Sequence, residues 1–189
     1  MNALLMAVMV SAAPVKAGPV SAHATINPGA QSWAGQAQWS DGQKQRTVFE
    51  SAVLVAELKP SDEGKAAVLQ ADASAALVQK WPTIRVWQVR DARAVRQAVP
   101  SLQAVYFDAA TSAARSRVAV GHVNVFVKKS LTTEQRSALQ KELNATVKDS
   151  GLWSVPCPGS EALALAATLS KRSEIELATP NWWTAAHRR

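Results

Sequence analysis

The sequence predicts an α+β protein whose C-terminal part, residues 119–181, is a ferredoxin-like domain. Two observations predict this class: short runs of alternating apolar residues, and two segments with apolar residues three and four positions apart, as in amphipathic helices. A third observation is their order, β-α-β-β-α-β, in which two helices pack on one face of an antiparallel sheet. Residues 25–118 precede this domain and are predicted to be a mixed α/β region.

The N-terminal region alternates between strand and helix patterns. The pair Asp41-Gly42 lies between two strand-compatible runs and predicts a hairpin turn. Residues 47–58 fit a strand. The sequence after Pro60 is typical of a helix start, and we expect this helix to continue to about Lys80. The other elements expected here are a strand at residues 84–89, a short helix from residue 91, and strands at 105–107 and 117–120.

The C-terminal domain is predicted to begin with a strand whose two faces differ. Val123, Val125 and Val127 fall on one face by two-residue alternation. Because two helices cover only one face of the sheet, the opposite face stays open unless the N-terminal region covers it. An open face that carries Phe126 is a candidate contact for another protein. The candidate sheet-face contacts are His122, Asn124, Phe126, Lys128 and Glu176.

The remaining elements of this domain follow from local signals. Thr132 is placed to cap a helix that has Gln135 at its third position, which is the pattern of a capping box. A hairpin is expected next, at residues 145–155, with a glycine in its turn. Ser160 is expected to cap a second helix, rich in Ala and Leu, and residues 175–178 close the domain as a strand.

The chain begins with an apolar run that is too short to cross a bilayer but fits the core of a signal peptide. Small residues follow at the spacing of a cleavage site, and cleavage is expected after Ala17 or Ala24. Residues 1–24 are therefore predicted to be a signal peptide; the alternative is a buried N-terminal strand or helix. The predicted location is secreted or periplasmic, with no membrane contact after cleavage.

Residues that usually carry catalysis or metal binding are not grouped in this sequence. The 189 residues include one cysteine, Cys157, and three scattered histidines, so neither an internal disulfide nor a metal site is expected. The sequence has no nucleophile elbow, no phosphate-binding glycine loop and no paired acidic residues in a catalytic context. We therefore expect no enzymatic activity and no cofactor.

Several segments of the last third of the chain together resemble the propeptide of subtilisin-type serine proteases. They are the strand at residues 123–128, the capped helix after it, the Pro-Gly loop at 155–160, the Ala/Leu-rich helix, and the closing stretch at 175–182. Thr179 departs from the family pattern, which has an acidic residue there. The resemblance implies a domain that packs its sheet face on the protease, assists its folding and inhibits it.

The sequence lacks the Asp-Ser/Thr-Gly, His-Gly-Thr and Gly-Thr-Ser-Met motifs of the catalytic domain in that family. The resemblance therefore implies a subtilisin-like serine protease as a separate chain, on which this protein acts in trans. It also implies that the C-terminal tail lies extended across the active-site cleft, held by main-chain hydrogen bonds and side-chain pockets. The tail residues assigned to protease binding are Ala178, Thr179, Pro180, Asn181, Trp182, Trp183, His187, Arg188 and Arg189.

Residues 182–189 follow the predicted domain as a C-terminal tail. The roles of two residue pairs in this tail each have an alternative. Trp182 and Trp183 are expected to anchor the tail in the partner, since buried tryptophans are frequent binding hot spots. Alternatively, they pack back on their own domain. Arg188 and Arg189 suit an acidic pocket of a protease that cuts after basic residues; alternatively, they form a frayed basic terminus.

The sequence leaves two other functions open. The element order and the formal net charge of +7 also suit an RNA-recognition domain. However, the octapeptide that such a domain carries on its third strand has no counterpart at residues 152–156, so no nucleic-acid partner is expected. The other alternative is a non-catalytic periplasmic structural or interaction protein, because this fold hosts many functions.

Overall fold

The computed structural model describes residues 33–110 and 115–184. Within these ranges the chain is α+β, as the sequence predicts, with four helices and one open, mostly antiparallel sheet of nine strands. The predicted signal peptide, residues 1–24, lies outside the described ranges, as do residues 185–189. None of the described helices is long and apolar enough to cross a membrane.

Strands and helices follow one another throughout the described residues, with pairs of consecutive strands between the helices. The strands are β1 (Trp33–Ser40), β2 (Gln45–Leu58), β3 (Ala76–Lys80), β4 (Ile84–Gln88), β5 (Leu102–Phe107), β6 (Ser116–Val127), β7 (Thr146–Val147), β8 (Trp153–Pro156) and β9 (Ile175–Thr184). The helices are α1 (Asp62–Ala71), α2 (Ala92–Ala98), α3 (Thr133–Glu142) and α4 (Ala162–Leu169), with a 3-10 turn at Gly159–Glu161 before α4.

Two halves of the chain have the same arrangement of strands. In the first half, β2 to β5, the order across the sheet is β3-β4-β2-β5; in the second half, β6 to β9, β6 pairs with both β8 and β9, and β7 pairs with β8. In each half the strand before the first helix is central, and the strand after that helix lies at the outside. The last strand of the first half, β5, pairs with β6, the first strand of the second half.

The two halves therefore share one nine-stranded sheet, whereas the sequence predicts a separate sheet for the C-terminal domain. The predicted domain boundary, between residues 118 and 119, falls inside β6. The short strand expected at 117–120 and the strand expected from 122 are one strand, which passes through Gly121 at a φ of 81°. Pairing β5 with β6 removes two exposed strand edges, and this is the physical reason for a continuous sheet.

The four described helices pack on one face of the sheet. Alternate residues of β5 divide between the faces: Ala104 and Tyr106 belong to a cluster that includes Leu163 of α4, whereas Val105 and Phe107 belong to a cluster without helical residues. Phe107 is nevertheless only 2 % exposed. The sheet curves over this helix-free cluster until the rings of Trp81, next to β3, and Trp183, in β9, lie 4.6 Å apart.

The capping box predicted at the start of α3 is confirmed. Thr132 Oγ1 accepts a hydrogen bond from the Gln135 N–H at 3.2 Å, and Gln135 Oε1 accepts one from the Thr132 N–H at 2.9 Å. The cap predicted at Ser160 is wrong. The 3-10 turn occupies Gly159–Glu161, α4 begins at Ala162, and no side chain caps its N-terminus.

The helix predicted from residue 61 to Lys80 is too long. It ends at Ala71, and residues 76–80 form β3 instead. The reason is the buried Asp72, whose carboxylate accepts hydrogen bonds from the N–H of Ser74 at 2.9 Å and of Arg90 at 2.7 Å. These bonds fix a turn after α1 and direct the chain back to pair with β4.

Asp72 makes stability depend on pH. Hydrogen bonds from the Arg90 backbone N–H and from Ser74 hold the pKa of this carboxyl well below its ordinary value of 3.8. A carboxyl with a lowered pKa stabilises the fold above its unfolded-state pKa, and that contribution is lost as the pH falls. We expect Asp72→Asn to lower the melting temperature near pH 7, and the difference from the unsubstituted protein to shrink as the pH falls from about 6 to 3.

Thermal unfolding followed by circular dichroism measures this difference. Asp149→Asn, in the exposed turn before β8, is the matched control and should leave the melting temperature unchanged at every pH. A difference that stays constant between pH 6 and pH 3 would contradict the assignment to the Asp72 carboxylate.

Candidate protein-binding face and C-terminal strand

The helix-free face of the second half is formed by alternate residues of β6, β8 and β9, and we call it the open face. Val123 and Val125 point to the helices and are fully buried. The residues between them point the other way, since side chains alternate along a strand. Within the described part of the chain, the outward residues of the open face are His122, Asn124, Phe126, Ser154, Leu177, Thr179 and Asn181.

Phe126 is the most prominent apolar residue of the open face. Its side chain is 42 % exposed, and its strand partner across β9 is Leu177, which is half-buried. On the same face of the first half, Leu54 and Phe107 are 1 % and 2 % exposed. The N-terminal region therefore buries its own helix-free face but does not cover Phe126. Phe126 is the penultimate residue of β6 and lies beyond the pairing with β8, which covers residues 122–125. Together with Leu177 it forms an apolar patch that is a candidate contact for another protein.

The other predicted sheet-face residues surround Phe126 with polar groups. Lys128, directly after β6, is exposed, and Glu176 is exposed at the place where the pairing of β6 with β9 is irregular. His122 and Asn124 are half-buried. Partial burial, and then the charge of Lys148, lower the pKa of His122 from its ordinary value.

The predicted tail forms part of the sheet. Ala178, Thr179, Pro180, Asn181, Trp182 and Trp183 all lie in β9, which continues to Thr184. Ala178 pairs with Val125 and Trp183 pairs with Val118, so this segment extends the sheet as a strand of its own molecule. The predicted end of the domain at residue 181 falls inside this strand. Besides this strand pairing, a side-chain hydrogen bond links the two predicted groups: Asn124 Nδ2 donates to Asn181 Oδ1 at 3.4 Å.

Trp182 and Trp183 pack on their own molecule, which is the alternative considered from the sequence. Trp182 meets Trp39 and Tyr106 edge to face, with ring centroids 5.7 and 5.8 Å apart. The Arg117 guanidinium lies 5.5 Å from the Trp39 ring and 5.9 Å from the Trp182 ring. Trp183 packs against Trp81 on the other face of the sheet. Both C-terminal tryptophans thus join the second half to the first.

The tryptophan contacts leave two donors without acceptors. Among the described residues, neither the Trp39 Nε1 nor the Trp182 Nε1 has a hydrogen-bond partner, although both atoms are buried. No local pattern in the sequence indicates this cluster. The signal available was the number of tryptophans, seven in a chain with one tyrosine and three phenylalanines; their spacing shows no pattern, because the cluster forms across the sheet.

His187, Arg188 and Arg189 lie outside the described residues, so the arrangement of these tail positions stays a prediction. Elsewhere, Cys157 is half-buried, and burial, followed by the charge of Glu161, raises the pKa of its thiol. In the described ranges, no three His, Cys, Asp or Glu residues lie close enough together to hold a metal ion. A shallow depression of about 360 Å³ is lined by Pro60, Lys80, Trp81, Pro82 and Arg85.

Comparison of the chain with protein-family models, with curated proteins and with solved structures gives no match.

Proposed function

We propose that this chain is a secreted or periplasmic, non-catalytic protein that binds a subtilisin-like serine protease in trans and inhibits it, assists its folding, or does both. The observation that carries the proposal is Phe126, an aromatic side chain 42 % exposed near the end of β6, on a sheet face that no described helix covers. The open face supplies the docking surface, and the residues after Trp183 supply the segment that reaches the active-site cleft.

We propose further that the second half is a ferredoxin-like unit. Its element order, β6-α3-β7-β8-α4-β9, and the central position of β6 between β8 and β9 support this assignment. So does the core between the sheet and its two helices, to which Leu139 of α3 and Ala166 of α4 contribute. This is the unit that the resemblance to subtilisin propeptides implies, in the part of the chain that carries the resemblance.

The chemistry of the open face suits a protein partner. Phe126 and Leu177 provide an apolar centre, and Lys128 and Glu176 provide charged groups beside it. Stable protein interfaces commonly have an apolar core inside a polar rim, and they bury on the order of 800 Å² per partner. The open face has one exposed aromatic residue, Phe126, whereas RNA-binding sheets stack two or three bases on aromatic side chains.

Inhibition and folding assistance are two consequences of one binding equilibrium. A protein that binds the native protease, and not its unfolded chain, stabilises the native state by mass action. If the same complex covers the active-site cleft, it also blocks substrates. A single interface centred on Phe126 therefore accounts for both activities.

Replacing Phe126 with Asp tests the proposal. Burying a carboxylate at the centre of the interface is unfavourable, so we expect the inhibition constant for the partner protease to rise at least about 30-fold. The measurement is residual activity of a panel of subtilisin-like proteases, including one from the same source, titrated with the protein. Leu69→Asp is the matched control, since Leu69 is 36 % exposed on α1, a helix on the opposite face.

Leu69→Asp should inhibit as well as the unsubstituted protein, and circular dichroism should show that both variants are folded. Equal inhibition by Phe126→Asp would remove the open face from the interface. A protein that neither inhibits nor refolds any protease of the panel would overturn the proposed function, and salt-dependent binding of single-stranded RNA would replace it with the alternative.

A further inference from the structure

We propose that residues 182–184, the last three of β9, are a releasable latch that packs on the first half in the free protein and detaches when the partner protease binds. This inference rests on the proposed function and concerns how the protease-binding tail is controlled. It follows from the pairing of β9, from the burial of its side chains and from its unpaired outer edge.

β9 pairs with β6 in two separate blocks. Residues 175–180 pair with 123–127, and residues 182–184 pair with 117–119. Between the blocks the register shifts, so that residues 120–122 of β6 lie opposite the single residue Asn181, next to Gly121 with its φ of 81°. An irregularity of this kind interrupts the ladder of hydrogen bonds. The second block can therefore separate without breaking the first.

The two blocks differ in burial. In the first block, Ala178 is 1 % exposed and Pro180 is fully buried against the helices. In the second block, Trp182, Trp183 and Thr184 are all half-buried. None of these three residues is fully buried, although both tryptophans pack on the first half. Segments outside the buried core open at lower free energy than the core to which they are attached. The first block is therefore the fixed part of β9, and the second block is the part that opens.

The attached latch also has an unfavourable feature. The indole N–H groups of Trp39 and Trp182 are buried and have no acceptor among the described residues. A buried donor without an acceptor loses its hydrogen bond to water and gains nothing in return. In a partner cleft that offers an acceptor, the Trp182 N–H of the detached tail can form the hydrogen bond that it lacks in the attached latch. Such a partner binds the detached state more tightly than the attached state, and this difference in affinity shifts the population toward the detached state.

The outer edge of β9 has no strand partner among the described residues. The β1–β2 hairpin packs beside β9 without pairing with it, with Trp39 against Trp182 and the turn at Gly42 next to Leu177. In the first half the corresponding strand, β5, has its outer edge paired with β6. The partner surface that fits the edge and tail of β9 is thus a cleft that binds extended peptides through main-chain hydrogen bonds.

Amide hydrogen exchange of the free protein tests the latch without a protease. We expect the amides of residues 182–184 to exchange about 100-fold faster than the protected amides of residues 175–178, because the latch opens without global unfolding. Equal protection of the two blocks would overturn the proposal, since β9 would then open only as a whole.

A disulfide that locks the latch tests its role in binding. Arg117 pairs with Thr184 across β6 and β9, and directly opposed residues of antiparallel strands lie close enough for a disulfide. The variant Arg117→Cys/Thr184→Cys is made with Cys157→Ser, and inhibition is measured for the oxidised and the reduced forms. We expect the oxidised form to inhibit at least about tenfold less well than the reduced form. Cys157→Ser alone, with and without reductant, controls for the reducing agent.

The outcomes separate the two proposals. Equal inhibition by the oxidised and the reduced forms would overturn the latch and leave the proposed function standing. If the reduced form inhibits no protease of the panel, and the unsubstituted protein also fails, the proposed function is overturned. Hydrogen exchange then still decides whether residues 182–184 open independently.

Discussion

Replacing Gly159 with Ala is expected to lower the free energy of unfolding by about 3 kcal/mol, and the melting temperature by about 6 to 12 °C. Gly159 is buried at the start of the 3-10 turn that leads into α4. A Cβ at this position would lie 2.6 Å from the carbonyl oxygen of Ala119 and closer still to Oε1 of Gln103. Gln103 can rotate, but the Ala119 carbonyl is backbone of β6, so the turn itself has to shift.

Chemical denaturation followed by tryptophan fluorescence measures the loss. Gly35→Ala is the matched control: Gly35 is exposed in β1, and a Cβ there would meet no atom within 4 Å. We expect Gly35→Ala to change stability by less than about 0.5 kcal/mol. Equal effects of the two substitutions would show that the close contact of Gly159 with β5 and β6 leaves room for a Cβ at position 159.

Two phenylalanines on the helix-free face are expected to respond in opposite ways. Phe107→Ala should cost about 4 kcal/mol of stability, because this ring is 2 % exposed and packs against Trp33 with centroids 5.6 Å apart. Phe126→Ala should cost less than about 1 kcal/mol, since much of its ring already contacts water. The effects on inhibition should be reversed: Phe126→Ala should weaken inhibition of the protease more than Phe107→Ala does.

The comparison uses urea unfolding for stability and titration of the partner protease for inhibition. Inhibition by Phe107→Ala is measured at a temperature where this variant is still folded. A large loss of stability in Phe126→Ala would mean that the open face is covered in solution. That result would contradict its assignment as a docking surface.

Local signals were the predictable part of this fold. The hairpin at Asp41-Gly42 forms as expected, with the Asp41 carboxylate accepting hydrogen bonds from the N–H of Gln43 and Lys44. The capping box of Thr132 and Gln135 also forms. Both features consist of hydrogen bonds between side chains and backbone groups only a few residues apart, so the local sequence is enough to predict them. The alternation of residues 122–127 correctly separated a buried face from the face that carries Phe126.

Long-range contacts were the part that sequence could not supply. β3 was missed because its residues also fit a helix, and their conformation is decided by Asp72 and by pairing with β4. From the sequence, Trp182 and Trp183 are expected to anchor the tail in a partner, with packing on their own domain as the alternative. The choice depends on Trp39, Tyr106 and Trp81, which lie far away in the sequence. The tryptophan cluster at the candidate site was therefore not predictable from local pattern.

The contact between Trp39 and Trp182 has a consequence for how the protein is made. It joins the first described strand to the last, and contacts between residues so distant in the chain form slowly. On the ribosome, β9 emerges after every strand with which it packs. Until Trp183 arrives, the apolar cluster under Trp81 is exposed in the nascent chain, and exposed clusters of this kind promote aggregation. Folding is thus completed only when β9 closes the sheet over the first half.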